Sequence, residues 1–278
     1  MALSIGHSAT FLLTTGSPMK TTGLVLISIL FLLLSGCDTA DYPEPTQSDR
    51  QEMLIYCGMT MIKPVLELAA EFEQQENCTV KLTYGGSNHL KHSIEINQIG
   101  DLFLPGDDSF IRELQQSGIV TETQSIGYNQ AALFVQYGNP KNISPELSNL
   151  TDRQLHTVIG SDKSGSIGRE TRRILDQAGL YQDVVDNALY LTTDSKGLVK
   201  AIKTKEADIV INWQAVLHLD DNTKYMTLLP IAEQYIEKQP LILGLLRYSP
   251  QPELARKFMA LAASKTGQRT FKRYGFRD

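Results

Sequence analysis

From residue 53 to the C-terminus, short apolar runs alternate with stretches in which apolar residues recur every three or four positions. Met53–Cys57 (MLIYC) reads as a short buried strand. Lys63–Gln75 places Val65, Leu66, Leu68, Ala69 and Phe72 on one face and acids on the other, the period of an amphipathic helix. Thr79–Tyr84 predicts a second strand, and after the turn Gly85–Asn88 a helix is predicted from His89 to about Gln98. Asp101–Leu104 predicts a strand closed by Pro105-Gly106, and Phe110–Ser117 a helix ended by Gly118. Further strands are predicted at Ala131–Gln136, Ala207–Asn212 and Leu241–Arg247. Helices are predicted at Arg169–Ala178 and Lys196–Lys203, with a long C-terminal helix from Pro252. Strand–helix alternation of this kind predicts an α/β fold with largely parallel sheet covered by helices on both faces.

Upstream the pattern changes. Leu24–Leu34 (LVLISILFLLL) is uncharged and apolar but shorter than the ~20 residues a spanning helix needs. Small residues Ser35 and Gly36 and then Cys37 follow it, so residues 1–36 read as a signal peptide. Leu34-Ser35-Gly36-Cys37 resembles a bacterial lipobox, which implies a diacylated Cys37 as the first mature residue; the alternative is an ordinary signal with an incidental cysteine. Asp38 resembles the inner-membrane retention signal of enteric-type lipoproteins, placing the chain on the periplasmic face of the inner membrane, or outside the cell membrane of a Gram-positive cell. Met19-Lys20 would open a compact positive n-region, whereas residues 1–18 contain neither lysine nor arginine, so translation is expected to start at Met19. Residues 37–50 are rich in Pro, Ser, Thr and acids and predict a tether. The folded part, from residue 51, is long enough for two lobes.

A net charge of −5 gives no reason to expect nucleic acid as a partner. Besides Cys37 there are two cysteines, Cys57 at the C-terminal end of the first strand and Cys78 at the N-terminal start of the second. Parallel pairing would set them about 13 Å apart at ~3.3 Å per residue, beyond the ~7 Å limit for a disulfide. Two free, buried thiols are expected, and the same separation rules out zinc held by Cys57, Cys78, His89 and His92. Neither a metal nor a cofactor is expected.

The chemistry sits at the turns. Ligands of open α/β sheets bind beyond the carboxyl ends of strands, where helices begin. Helix N-termini present free N–H groups and partial positive charge, so they hold anions without a cation. Four such junctions carry small or hydroxyl residues: Gly58-Met59-Thr60, Gly85–Asn88, Ser164–Gly168 and Thr192–Ser195. Each alone could be an ordinary helix cap; four together suggest a converging anion pocket.

On these residues the chain resembles the molybdate- and tungstate-binding proteins of ABC transporters. The resemblance rests on YCGMTM…LAAEF, TYGGSNHL, GDLFLPGDD and the closing FKRYGF, and covers nearly everything after the tether. It implies a two-lobed type II periplasmic binding fold, each lobe a mostly parallel sheet flanked by helices, with ligand in the interlobe cleft. Lobe I would comprise residues 51–127 and 235–278, and lobe II residues 128–234. By position, Thr60 and Ser87 match the family's ligand-binding serines, Ser166 or Ile167 a backbone N–H donor, and Ser195 another. The family's binding tyrosine falls near Asn212 and Trp213, where an amide or indole would replace a phenol or make no contact. Arg169 also departs from the neutral pockets of the family; it either forms an ion pair with Glu170 or Asp194, or points inward to a phosphate-like or carboxylate ligand.

The function implied is capture of a small tetrahedral oxyanion, molybdate or tungstate in kind, by a monomeric lipoprotein that delivers it to an ABC permease. Phosphate, sulfate or a small carboxylate, or a sensory role without a permease, are the alternatives. No serine lies in a Gly-x-Ser-x-Gly elbow, which argues against a hydrolase.

Overall fold

The computed structural model describes residues 50–277. The expectations for the signal segment, the start at Met19, the tether and lipidation of Cys37 lie outside the described residues. The strands are β1 Gln51–Gly58, β2 Cys78–Gly85, β3 Leu102–Leu104, β4 Val120–Asn129, β5 Ala131–Gln136, β6 Val158–Gly160, β7 Tyr190–Thr192, β8 Ile209–Trp213, β9 Met226–Leu229 and β10 Gln239–Leu246. The α-helices are α1 Ile62–Glu76, α2 Ser87–Asn97, α3 Ser109–Gln116, α4 Ser166–Gln177, α5 Tyr181–Asn187, α6 Ser195–Lys203, α7 Pro252–Ala263 and α8 Lys265–Arg273.

Five strands in the order β2-β1-β3-β10-β4 form the sheet of lobe I. Lobe II is built on β8-β5-β9 and on the pair β6-β7, which a parallel bridge from Thr157 to Ile209 joins to β8. The chain passes from one sheet to the other at Gln130 and returns through residues 230–238. These passages explain why the sheets are mixed rather than mostly parallel. A strand that leaves a lobe and one that re-enters it run in opposite senses, and β10 is antiparallel to both β3 and β4. The βαβ units keep their parallel sense, β1 against β2 and β3.

Near-continuous apolar strands arise because both faces of the lobe I sheet are buried. Along β1, Met53, Ile55 and Cys57 join the layer under α1, α7 and α8, while Leu54 and Tyr56 join the layer under α2 and α3. Along β10, Leu241, Leu243 and Leu245 face the first layer and Ile242 and Leu246 the second, the period of two that a strand imposes. Each such side chain fully buried contributes about 1.5–3 kcal/mol. Edge-on packing of Phe72 against Phe258, centroids 5.2 Å apart, locks α1 to α7. Phe271 packs on Phe276 in the same way at 5.5 Å, so the FKRYGF tail closes lobe I.

The predicted C-terminal helix is two helices. Ser264 takes an extended conformation and its hydroxyl accepts the Gly267 N–H at 3.2 Å, capping α8. β4 is missed by periodicity because it is an edge strand with a mostly exposed, polar sequence. The cysteines sit as parallel pairing requires: Cys57 faces Tyr84 and Cys78 faces Gln51. Six strand steps of ~3.3 Å separate them by about 20 Å, and both thiols are free and buried. Among the described residues no helix is long and apolar enough to cross a membrane, and no cluster of His, Cys, Asp or Glu could hold a metal.

Candidate functional site

Strand ends β1, β2, β6 and β7 deliver four chain segments to one small cavity between the lobes. Its wall includes Thr60, Ser87, Gly106, Ser166, Ile167, Ser195 and Trp213. Its free volume is about 10 Å³, room for one water, so a guest with several heavy atoms fits only if the lobes part. Thr60 lies in the single 3-10 turn Met59–Met61 that follows β1, 3 % exposed. Ser87, Ser166 and Ser195 are each the first residue of a helix, α2, α4 and α6.

That placement means that Ser87 and Ser166 are not the N-caps of their helices. A serine at the N-cap folds its hydroxyl back onto the helix N–H groups; here the caps of α2 and α4 are Gly86 and Gly165, which have no side chain to do so. Neither helix therefore has a side-chain cap on its leading N–H groups, although in α2 the Asn88 N–H is taken by the Ser164 carbonyl. Only α6 is capped: the Asp194 carboxylate accepts from Lys196 N–H at 2.9 Å and Gly197 N–H at 3.0 Å.

The hydroxyls are oriented by what they accept. Ser87 Oγ accepts the Gly106 N–H at 3.1 Å, and Ser166 Oγ accepts Trp213 Nε1–H at 3.3 Å, which leaves each hydroxyl proton free to donate. Thr60 Oγ1 meets only the soft thioether of Met61 at 3.0 Å. The wall carries no cationic side chain, so an anion would be held by hydroxyls, amides and helix dipoles.

Two expected residues stand elsewhere. Asn212 is buried but off the cavity wall; its Nδ2–H₂ donates to the Ser195 carbonyl at 3.0 Å and its Oδ1 accepts Trp213 N–H at 2.9 Å. It positions the α6 terminus and the Trp213 backbone. Arg169 points away from the cavity and pairs with neither Glu170 nor Asp194. From α4 of lobe II it reaches lobe I, donating to Glu113 Oε1 at 2.5 Å and Ser109 Oγ at 2.8 Å, with its guanidinium 3.7 Å from the Phe110 ring centroid. Burial pushes the Glu113 carboxyl up, but hydrogen bonds from Arg169 and Lys91 hold it below its ordinary range. Glu170 instead takes a forked pair of bonds from Arg173, at 2.9 and 2.8 Å.

Sequence reasoning missed this clasp, because Glu113 reads as one acid on a solvated helix face. It also missed how closely the lobes approach. Asn88 N–H donates to the Ser164 carbonyl at 3.2 Å and its side chain to the Lys163 carbonyl at 2.8 Å. A Cβ on Gly86 would stand 2.9 Å from the Ser164 carbonyl oxygen, and one on Gly106 2.1 Å from Ser166 Oγ.

A sequence model of the bacterial extracellular solute-binding proteins matches residues 53–277. The molybdate-binding protein ModA of Mycobacterium tuberculosis is 22 % identical over 264 residues, covering 92 % of this chain and 96 % of that protein. Among solved structures, the periplasmic molybdate-binding protein of Azotobacter vinelandii superposes with a TM-score of 0.68 at 14 % identity, covering 81 % of this chain and 98 % of that one. The sulfate-binding protein SubI of Mycobacterium tuberculosis does so at 0.71 with 15 % identity, covering 82 % and 87 %. At these identities the structures establish the shared two-lobed fold.

Proposed function

The chain belongs to the family of bacterial extracellular solute-binding proteins, and we propose that it captures a small tetrahedral oxyanion in the interlobe cavity for delivery to an ABC permease. The observation that carries this reading is the convergence of the glycine-capped termini of α2 and α4 with the Thr60 turn on one cationless cavity. Thr60 and Ser87 donate their hydroxyl protons to oxyanion oxygens, and the backbone N–H groups of Ser166, Ile167 and Ser195 complete the shell. Trp213 closes the wall. Such neutral donors select by size and by protonation: an acceptor-only dianion satisfies every donor, whereas a ligand bearing its own proton leaves one unmatched. Molybdate and tungstate are the first ligands to try, in keeping with the ModA relative; sulfate follows, in keeping with SubI.

Closure of two hinged lobes over the anion presents the permease with a distinct surface. Lipid on Cys37 would hold the monomer at the extracytoplasmic membrane face. Binding is favoured over hydrolysis because the wall offers hydroxyls but no histidine or lysine to activate one, and its carboxylate, Asp194, is occupied in capping α6. A thermal-shift panel of molybdate, tungstate, sulfate, phosphate and small carboxylates tests the proposal. A true ligand at 100-fold excess over its Kd adds about 2.7 kcal/mol; no shift with any member would refute anion capture.

A further inference from the structure

Beside the anion cavity runs a groove of about 350 Å³, floored by Ile62, Leu66 and Tyr84 of lobe I and Val199, Val216 and Leu219 of lobe II. The two spaces share Met59, Thr60 and Ser195 as wall. Resting on the anion-capture reading above, we propose that the groove is a second subsite of the same ligand, so that the oxyanion is the head group of a solute carrying an apolar organic substituent.

Three observations lead there. First, the seam on the other side of the cavity is shut. Gly106 lies against Ser166, Asn88 bonds to the Lys163 and Ser164 carbonyls, and Arg169 is clasped to Glu113. Met59, Thr60 and Ser195 are all that both spaces share, so a substituent on a head group held there would reach the groove by passing these residues. Second, the groove is apolar where a solvent-washed cleft should be polar. Leu66 is 51 % and Tyr84 58 % exposed, while the aliphatic side chains of both lobe cores are buried. Apolar surface gathered in a concave site with a few polar groups marks a place that something organic covers. Third, the size and charge fit. An apolar cavity of ~150 Å³ takes up a benzene ring, so this groove has space for an aryl or branched alkyl group. Lys63 and Asp220 pair across it at 2.8 Å, one from each lobe. Lys196 is also on its wall, so two lysines face the single carboxylate of Asp220, and the net positive charge favours an anionic solute at the mouth.

The class of ligand is thus a substituted tetrahedral oxyanion, R–PO₃²⁻ or R–SO₃⁻ with R apolar, rather than a bare inorganic ion. The test is titration calorimetry on the intact chain with matched pairs, phosphate against phenylphosphonate and sulfate against benzenesulfonate, together with molybdate. At least one substituted member is expected to bind about ten-fold or more tighter than its inorganic partner. Leu66→Asn, a change at an exposed helix position, is expected to erase that gain and leave the inorganic partner's Kd unchanged. Bare ions binding as tightly as their substituted partners, or a gain that survives Leu66→Asn, would overturn the subsite while leaving anion capture standing. Binding by no anion at all would remove both.

Discussion

Gly106 lies directly against Ser166 of the other lobe, and its lack of a side chain is a condition of closure. With a Cβ only 2.1 Å from Ser166 Oγ, Gly106→Ala is expected to hold the lobes apart and weaken anion binding at least ten-fold. The ligand-free melting temperature should move by no more than a few degrees; titration calorimetry and thermal unfolding read the two effects separately. Thr60 and Ser87 should respond differently to truncation, although both face the cavity. Thr60→Ala removes a hydroxyl whose one partner is a thioether, so it should cost binding and leave unfolding nearly unchanged. Ser87→Ala also strips the buried Gly106 N–H of its acceptor, and about 1–3 kcal/mol of stability should go with it. These hydroxyls were legible in the sequence as small-residue turns after apolar strands. The position of Ser87 and Ser166 at the first helical residue was not, because a serine before a helix reads equally well as its cap; the extended backbone of Gly86 and Gly165 decides it. The place of Asn212 was illegible for a related reason. A polar residue at a strand end has the same pattern whether it meets a ligand or braces the next helix.

Between elements, the clasp from α4 to α3 is the contact most exposed to test. It joins the lobes through Arg169 and Glu113, so removing it should speed opening without unfolding either lobe. Arg169→Ala and Glu113→Gln are each expected to raise the ligand dissociation rate several-fold, read by stopped-flow fluorescence of Trp213, the single tryptophan, which lines the cavity. An unchanged rate in both would show that the clasp does not govern opening. Acid should act in the same direction. The Glu113 pKa is held below its ordinary 4.5 in the folded protein, so its contribution is complete above that value and is lost as pH falls through the depressed one. Glu113→Gln should flatten this part of the pH profile. The parallel register of β1 and β2 makes a further prediction. A thiol reagent should label neither Cys57 nor Cys78 in the native chain and both after denaturation, and a reductant should leave the melting temperature unchanged. Elements with a buried face, such as α1 and β10, could be read from periodicity. β4, polar along an edge, and the three-residue β6 and β7 carry too little pattern to be read.

For the whole molecule, the anchor is the prediction most easily checked: Cys37→Ala should move the protein from the membrane fraction to the soluble extracytoplasmic fraction. The two-lobed plan was legible through the resemblance carried by the strand–turn–helix junctions and the FKRYGF tail. The mixed sheets were not, since antiparallel pairing between distant strands leaves no local mark. That same pairing has a consequence in time. Phe103 of β3 lies beside Gly244 of β10, about 140 residues further along the chain. The sheet of lobe I therefore cannot be completed until almost the whole polypeptide is available, whereas lobe II is one continuous segment. Contacts of such long sequence separation form slowly. A chain threaded outward from its N-terminus would emerge with β3 and β4 still lacking the strand that joins them, so the sheet stays incomplete until the end of the passage. The last strand to cross would be the one that lets the first ones settle.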